Sequence, residues 1–206
     1  YFEKHLRSNG VQISFSSIVK KIKWKKGSVT METSSGEIFR ADKVLLTIPL
    51  GLLHKNENCE GVIIFEPALK EQFHAANKIG FGTVVKTILE FKVPFWEEIK
   101  KDIGVVVSQQ QIPTWWTKLP DKIPLLTGWA GDPQLKELDE KSDDFILDAA
   151  IHSLSGIFKK DKNEIRNLLK AHVIANWQKQ PFVYGAYSYN YIGSRQAKTF
   201  LAKPVE

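Results

Sequence analysis

Lys86 is the residue of this chain whose type and position most clearly suggest chemistry. It lies in the middle of a β-type run from Thr83 to Phe91, on the strand face that also carries Val84 and Ile88. A lysine in this position can lay its methylene stem along apolar surface and keep its ammonium in water. Alternatively, the ammonium is held in a dry cleft, where it would pair with a bound water or a cofactor heteroatom. The strand pattern alone favours the first interpretation.

Aromatic residues near the carboxyl end form a second group of interest. Trp177 precedes Pro181-Phe182, and the segment Gly185-Ala186-Tyr187-Ser188-Tyr189 follows. Aromatic faces suit a cationic or polarised nitrogen, whereas core packing is the usual role of tryptophan and phenylalanine. By itself, the pattern favours core packing.

Two further segments accompany these residues. Ile79-Gly80-Phe81-Gly82 leads directly into the Lys86 run, and Pro94-Phe95-Trp96 follows that run. Val44-Leu45-Leu46-Thr47-Ile48 is a nearly continuous apolar run that ends at Pro49. Such a run predicts a strand that is buried on both faces.

Together these segments resemble the flavin-dependent amine oxidases, a group that includes polyamine oxidases, monoamine oxidases and lysine-specific histone demethylases. The resemblance extends from about Val11 to Tyr189, and its motifs are weak singly and more specific in combination. Two positions depart from the family pattern. Several relatives carry tryptophan at the position of Phe182, and serine is commoner at the position of Ala186.

The resemblance implies a role for each matching residue. Lys86 would bind a water next to the flavin N5 position, and Tyr187 would form one wall of an aromatic cage that orients the substrate amine. Val19, an ordinary strand valine without this context, would meet the adenine of FAD through its backbone. The residues implied to contact the cofactor are Val19, Thr47, Ile48, Pro49, Trp177 and Phe182.

The resemblance also implies an activity, that of an FAD-dependent amine oxidase. Hydride would pass from the carbon next to the amine nitrogen to the flavin, giving an imine, and oxygen would then yield hydrogen peroxide. The expected partners are a small-molecule amine and oxygen. The cofactor carries the hard chemistry, and the protein supplies orientation and electrostatics.

The chain begins at Tyr1 and contains no Gly-x-Gly-x-x-Gly dinucleotide-binding fingerprint. We therefore expect an internal fragment that depends on missing FAD-side segments of the same protein. Alone, it should neither retain FAD nor oxidise amines. The alternative is a non-catalytic interaction module that retains an oxidase-like fold, with the basic hairpin around Lys20 to Lys26 as its working surface.

Composition excludes several other classes. The 206 residues are 43% hydrophobic and 25% charged, as in ordinary globular proteins. No apolar run reaches the ~18 residues that a membrane span needs, and one cysteine, Cys59, excludes an internal disulfide. The net charge of +6 is spread along the chain, so no nucleic-acid site is expected. The five histidines show no metal-ligand spacing, and His152 and His172 fall in elements predicted to be core.

Periodicity predicts an α+β fold: a mixed β-sheet flanked by helices, of the substrate-domain type, plus a β-meander from the FAD-side domain. The predicted domains are a partial FAD-side domain over 1–82, a substrate-binding domain over 83–195, and a tail over 196–206. Helices are predicted from Pro67 to about Lys78, from Ser142 to about Phe158, and from Asn163 to Leu169. Strands are predicted at Val11–Ser14, Ile18–Trp24, Val29–Thr33, Glu37–Arg40, Val44–Ile48, Thr83–Phe91, Gly104–Ser108, Pro124–Trp129 and His172–Trp177.

Overall fold

A computed structural model describes residues 2–131, 134–138 and 140–205. The strands are β1 (Val19–Lys25), β2 (Ser28–Thr33), β3 (Ile38–Ala41), β4 (Ile64–Glu66), β5 (Ile79–Gly82), β6 (Val84–Phe91), β7 (Val105–Val107), β8 (Thr114–Trp116), β9 (Leu125–Gly131), β10 (Leu169–Asn176) and β11 (Tyr187–Asn190). The α-helices are α1 (Phe2–Ser8), α2 (Leu50–Leu53), α3 (Lys70–Ala76), α4 (Asp143–Phe158), α5 (Lys162–Leu168) and α6 (Arg195–Leu201), and short 3-10 helices cover Phe95–Glu98 and Gln134–Glu137. The α+β prediction is confirmed.

The chain divides into two compact units. The first comprises Tyr1–Ile79 and Asn190–Glu206, and the second comprises Gly80–Tyr189. In the first unit, a four-stranded sheet has the order β3-β2-β1-β4, and β4 runs parallel to β1. Its core is built on Ile22, Val29 and Phe65. The turn between β1 and β2 places Gly27 at φ +73°, a left-handed conformation that glycine adopts without strain.

The second unit is built on a five-stranded sheet of order β10-β6-β9-β8-β7, in which every neighbouring pair is antiparallel. Burial alternates along β6, so that Val85, Leu89 and Phe91 are buried. They join one hydrophobic cluster with residues of α4 and α5. One face of the sheet is therefore covered by helices, and the other face carries Lys86.

Helix α4 forms where the capping signals predict it. The hydroxyl of Ser142 accepts a hydrogen bond from the backbone N–H of Phe145 at 3.3 Å, and Asp143 and Asp144 occupy the first turn. The helix ends at Lys159, whose φ of +54° breaks the helical path. Its buried stripe is centred on Ile146, Ala150 and Leu154, whereas Phe145 is exposed.

Several sequence predictions are wrong. Residues 43–49 form no strand, and Leu45 is 86% exposed, because no described strand pairs with this apolar segment. Val11–Ser14 is likewise irregular, and α1, α6 and β8 were not predicted. His152 and His172 lie on the expected elements, but both are exposed.

Candidate functional site

Lys86 lies on the open face of the second unit's sheet, in a strand flanked on both sides. Its register partners are Trp129 on β9 and Ala175 on β10. The Lys86 side chain is half-buried, whereas its strand neighbours Val85 and Thr87 are fully buried beneath the helices. Lys86 is thus partly covered on a sheet face that the described helices do not pack against. Among the described residues, the ammonium has no hydrogen-bond or ion-pair partner.

Trp129 is a neighbour of Lys86 that the sequence analysis missed. The register places Trp129 directly across from Lys86 on one side and from Thr114 on the other. Its indole leans over Gly131, where a Cβ would lie 2.5 Å from the ring. The signal was the run Gly128-Trp129-Ala130-Gly131, but only the pairing of β9 with β6 brings it beside Lys86.

The same face is mostly apolar beyond these two residues. Trp116 and Val105 are register partners and lie farther out, on β8 and β7. The carboxylate on this face of β6 is Glu90, which accepts a hydrogen bond from the Lys170 ammonium at 2.5 Å. Its charge is thus already matched, which leaves Lys86 as the unmatched charge on this face of β6.

Trp177 is brought close to the beginning of the Lys86 strand by the backbone. Its N–H donates to the carbonyl of Val84 at 3.1 Å, and its indole is 37% exposed. The following loop closes on itself, since the N–H of Gly185 donates to the Trp177 carbonyl at 3.0 Å. Phe182 lies within this loop at a left-handed φ of +67°, with its ring 37% exposed. Neither aromatic residue is buried in the core.

Tyr187 is held against the turn that precedes β6. The N–H of Ala186 donates to the carbonyl of Gly82 at 2.8 Å, and the Tyr187 ring packs on Gly82. A Cβ on Gly82 would lie 2.9 Å from the ring Cζ, so this position requires glycine. Tyr189 packs on Gly80 in the same way, and the two tyrosine ring centroids are 6.4 Å apart.

The other four predicted cofactor contacts lie in the first unit. Val19 begins β1 and pairs with Thr33, and its side chain is half-buried. Thr47 is exposed in the irregular segment, and Ile48 and Pro49 are half-buried. Pro49 directly precedes α2, at φ −59° and ψ 144°.

The chemistry of the second unit suits a planar, heteroatom-bearing ring. An ammonium without a described partner supplies three donors, and exposed aromatic faces at Trp177, Phe182 and Tyr187 supply stacking surfaces. A flavin ring fits this donor set. The sequence contains no Gly-x-Gly-x-x-Gly turn for the pyrophosphate of a dinucleotide. These residues therefore suit the ring of a flavin, whereas no glycine-rich turn in the sequence suits the pyrophosphate of FAD.

Comparison with known proteins supports the same group. The chain is 29% identical over 209 residues to lysine-specific histone demethylase 1 homolog 3 of Arabidopsis thaliana, covering 98% of this chain and 12% of that protein. It is 26% identical over 189 residues to polyamine oxidase 2 of Arabidopsis thaliana, covering 90% of this chain and 36% of the relative. The chain thus spans well under half the length of either relative.

A solved structure shows the same fold. A double mutant of putrescine oxidase, with cofactor binding redesigned, superposes with a TM-score of 0.76 at 18% sequence identity, covering 98% of this chain and 44% of that one. A family model described as flavin containing amine oxidoreductase matches residues 2–204. This chain belongs to the family of flavin containing amine oxidoreductases.

Proposed function

We propose that this chain supplies the amine-facing part of an FAD-dependent amine oxidase. The supporting facts are the family match over nearly the whole chain and relatives whose names include a polyamine oxidase. The alternative of a flavin-free interaction module has no comparable support, because the similar proteins are oxidases and demethylases.

One observation supports the proposal most strongly: Lys86 lies directly across from Trp129, on the sheet face opposite the helices, and has no described partner. Elsewhere in the chain, Lys21 meets Glu66 at 2.8 Å. Lys86 instead lies between Trp129 and Ala175 with its charge unmatched.

The chain's own residues would hold both the cofactor and the amine. When bound, FAD supplies a hydride acceptor for the carbon next to the amine nitrogen. Trp177 and Phe182 would contact its ring, with Val19 and Thr47 to Pro49 as the proposed contacts from the first unit. The Lys86 ammonium would donate a hydrogen bond to a water and fix its position, while its positive charge would stabilise negative charge that develops nearby.

The amine would be oriented by aromatic and apolar surface. The Tyr187 ring, held in place on Gly82, presents one face to the nitrogen. Trp129, directly across from Lys86, would bound the space next to the ammonium and exclude bulk water from it. Exclusion of water strengthens every electrostatic contact at such a site. Binding of a neutral amine avoids placing a second cation beside Lys86.

The proposal is tested by assaying a version of the protein that carries a dinucleotide-binding unit. Amine-dependent release of hydrogen peroxide would be measured with polyamine, monoamine and methyl-lysine peptide substrates. We expect release with at least one amine, and loss of release when Tyr187 and Trp177 are both replaced by alanine. A flavin-loaded protein that consumes none of these amines would refute the proposal.

A further inference from the structure

A groove between α3 and α6, in the first unit, lies apart in the sequence from every residue assigned above. Its volume is about 780 Å³, within the range of ligand-binding pockets. The two helices pack through Ala75 and Ala197, which are both buried, and Phe200 packs against the same cluster. The apolar floor of the groove is therefore well defined.

Four basic side chains line this groove, namely Lys70, Lys78, Arg195 and Lys203. All four residues are exposed, and none has a carboxylate partner within the part of the chain that the structure describes. Glu71 is the only carboxylate among the described lining residues, so cations outnumber it four to one. Lys70 and His74 lie four residues apart and share one face of α3, and Lys78 lies in the turn that follows the helix.

Several lysines outside the groove do meet carboxylates: Lys160 meets both Glu98 and Glu164, and Lys170 meets Glu90. Like charges brought into one cavity repel each other, and a bound anion relieves that repulsion. The groove therefore carries an excess of positive charge, which a negatively charged ligand would neutralise.

We propose that this groove binds an acidic peptide segment of a partner protein, with an apolar side chain seated between its carboxylates. The apolar floor at Ala75, Ala197 and Phe200 fits that side chain, and the four cations fit the flanking carboxylates. Single-stranded nucleic acid fits less well, because it needs stacking platforms and Phe200 is the only aromatic residue in the described lining.

The test uses the whole chain and a fluorescein-labelled peptide of about twelve residues in which Glu and Asp alternate with Leu. Fluorescence anisotropy should give a Kd of about 10 to 100 µM near physiological salt, where the Debye length is about 8 Å. A peptide with glycine in place of leucine should bind at least about fivefold more weakly, because it leaves the apolar floor unfilled.

Charge reversal locates the site. The double variant Lys70→Glu with Arg195→Glu should weaken binding by about tenfold or more, since it removes two attractive charges and adds two that repel the peptide. The matched control is Lys100→Glu with Lys101→Glu, two exposed lysines of the second unit, with the same change in net charge. This control variant should bind the peptide with a Kd within about twofold of that of the parent chain. Circular dichroism verifies that both variants are folded.

Three results would overturn the proposal. Equal losses in the two double variants would mean that net charge alone attracts the peptide. Equal binding of the leucine and glycine peptides would remove the role of the apolar floor. Tighter binding of a single-stranded DNA of the same charge would assign the groove to nucleic acid. The proposal does not depend on amine oxidation, and no assay here needs FAD.

Discussion

Gly82 leaves room for the Tyr187 ring because it has no side chain. Replacement by alanine puts a Cβ 2.9 Å from the Tyr187 ring, so the ring must move. We expect Gly82→Ala to cost about 1–3 kcal/mol of unfolding free energy, measured by urea denaturation. Gly104→Ala is the matched control, because its Cβ would lie 3.9 Å from the nearest atom, on Leu119. Similar losses in the two variants would show that Tyr187 is not packed as described.

Lys160 provides a pH-dependent contribution to stability. Its ammonium lies 2.6 Å from Glu164 and 3.0 Å from Glu98, and the hydrogen bond to Glu164, then that to Glu98, raises its pKa above the ordinary value of 10.5. A raised pKa in the folded state means that the stabilisation is fully present below the ordinary value and is lost as pH rises through the raised one.

Urea unfolding of Lys160→Met and the parent chain between about pH 9 and pH 11.5 tests this effect. We expect the parent to lose its advantage over Lys160→Met as the pH passes above the ordinary value. Lys100→Met changes an exposed lysine without a described partner. Its free energy of unfolding should change with pH in the same way as that of the parent chain. If the difference in unfolding free energy between the parent and Lys160→Met stayed constant over this pH range, the assigned contribution of the Lys160 ion pairs would be contradicted.

The identities of Lys86, Trp177, Phe182 and Tyr187 as candidate residues followed from linear motifs. Trp129 could not be predicted in this way, since its position beside Lys86 depends on the register between β6 and β9. The partial burial of Lys86 could not be predicted from the motif either. Alternation indicated which neighbours share its strand face, but which face the helices cover is a tertiary property.

At the scale of elements, α4 supplies most of the helical side of the second unit's core. Leu154 has no exposed surface and packs in the cluster with Leu89 and Phe91. Leu154→Ala should therefore cost about 2–5 kcal/mol in urea unfolding. Phe145→Ala, on the same helix but 44% exposed, should cost less than about 1 kcal/mol, including loss of its contact with the Lys141 ammonium. Reversal of this order would mean that the helix faces the sheet differently.

Periodicity and capping predicted β6 and α4 because both signals are local. The run from Val44 to Ile48 failed for the opposite reason: its apolar composition predicts burial, but burial also requires neighbouring strands. No described strand supplies them. Helix α6 was missed because no capping side chain marks its start, although its packing on α3 orders it in the structure.

At the scale of the whole molecule, the chain enters the second unit at Gly80 and returns to the first at Asn190. No local pattern marks that return. The sequence also contains no glycine-rich turn for a pyrophosphate, which dinucleotide-binding proteins usually place at a helix N-terminus. We therefore expect the purified 206-residue chain to be colourless, without flavin absorbance after incubation with FAD and desalting. A yellow chain with a stoichiometric flavin spectrum would contradict this expectation.

The central claim is that Lys86 acts next to the flavin. Stopped-flow absorbance, in a version of the protein that carries a dinucleotide-binding unit, would measure flavin reduction by amine and reoxidation by oxygen in Lys86→Met. Lys92→Met, an exposed lysine just beyond β6, is the control. We predict that at least one of the two rates falls by about tenfold or more in Lys86→Met, since a charge-assisted hydrogen bond contributes about 1.5–3 kcal/mol. Unchanged rates for both steps would show that Lys86 has no part in the chemistry.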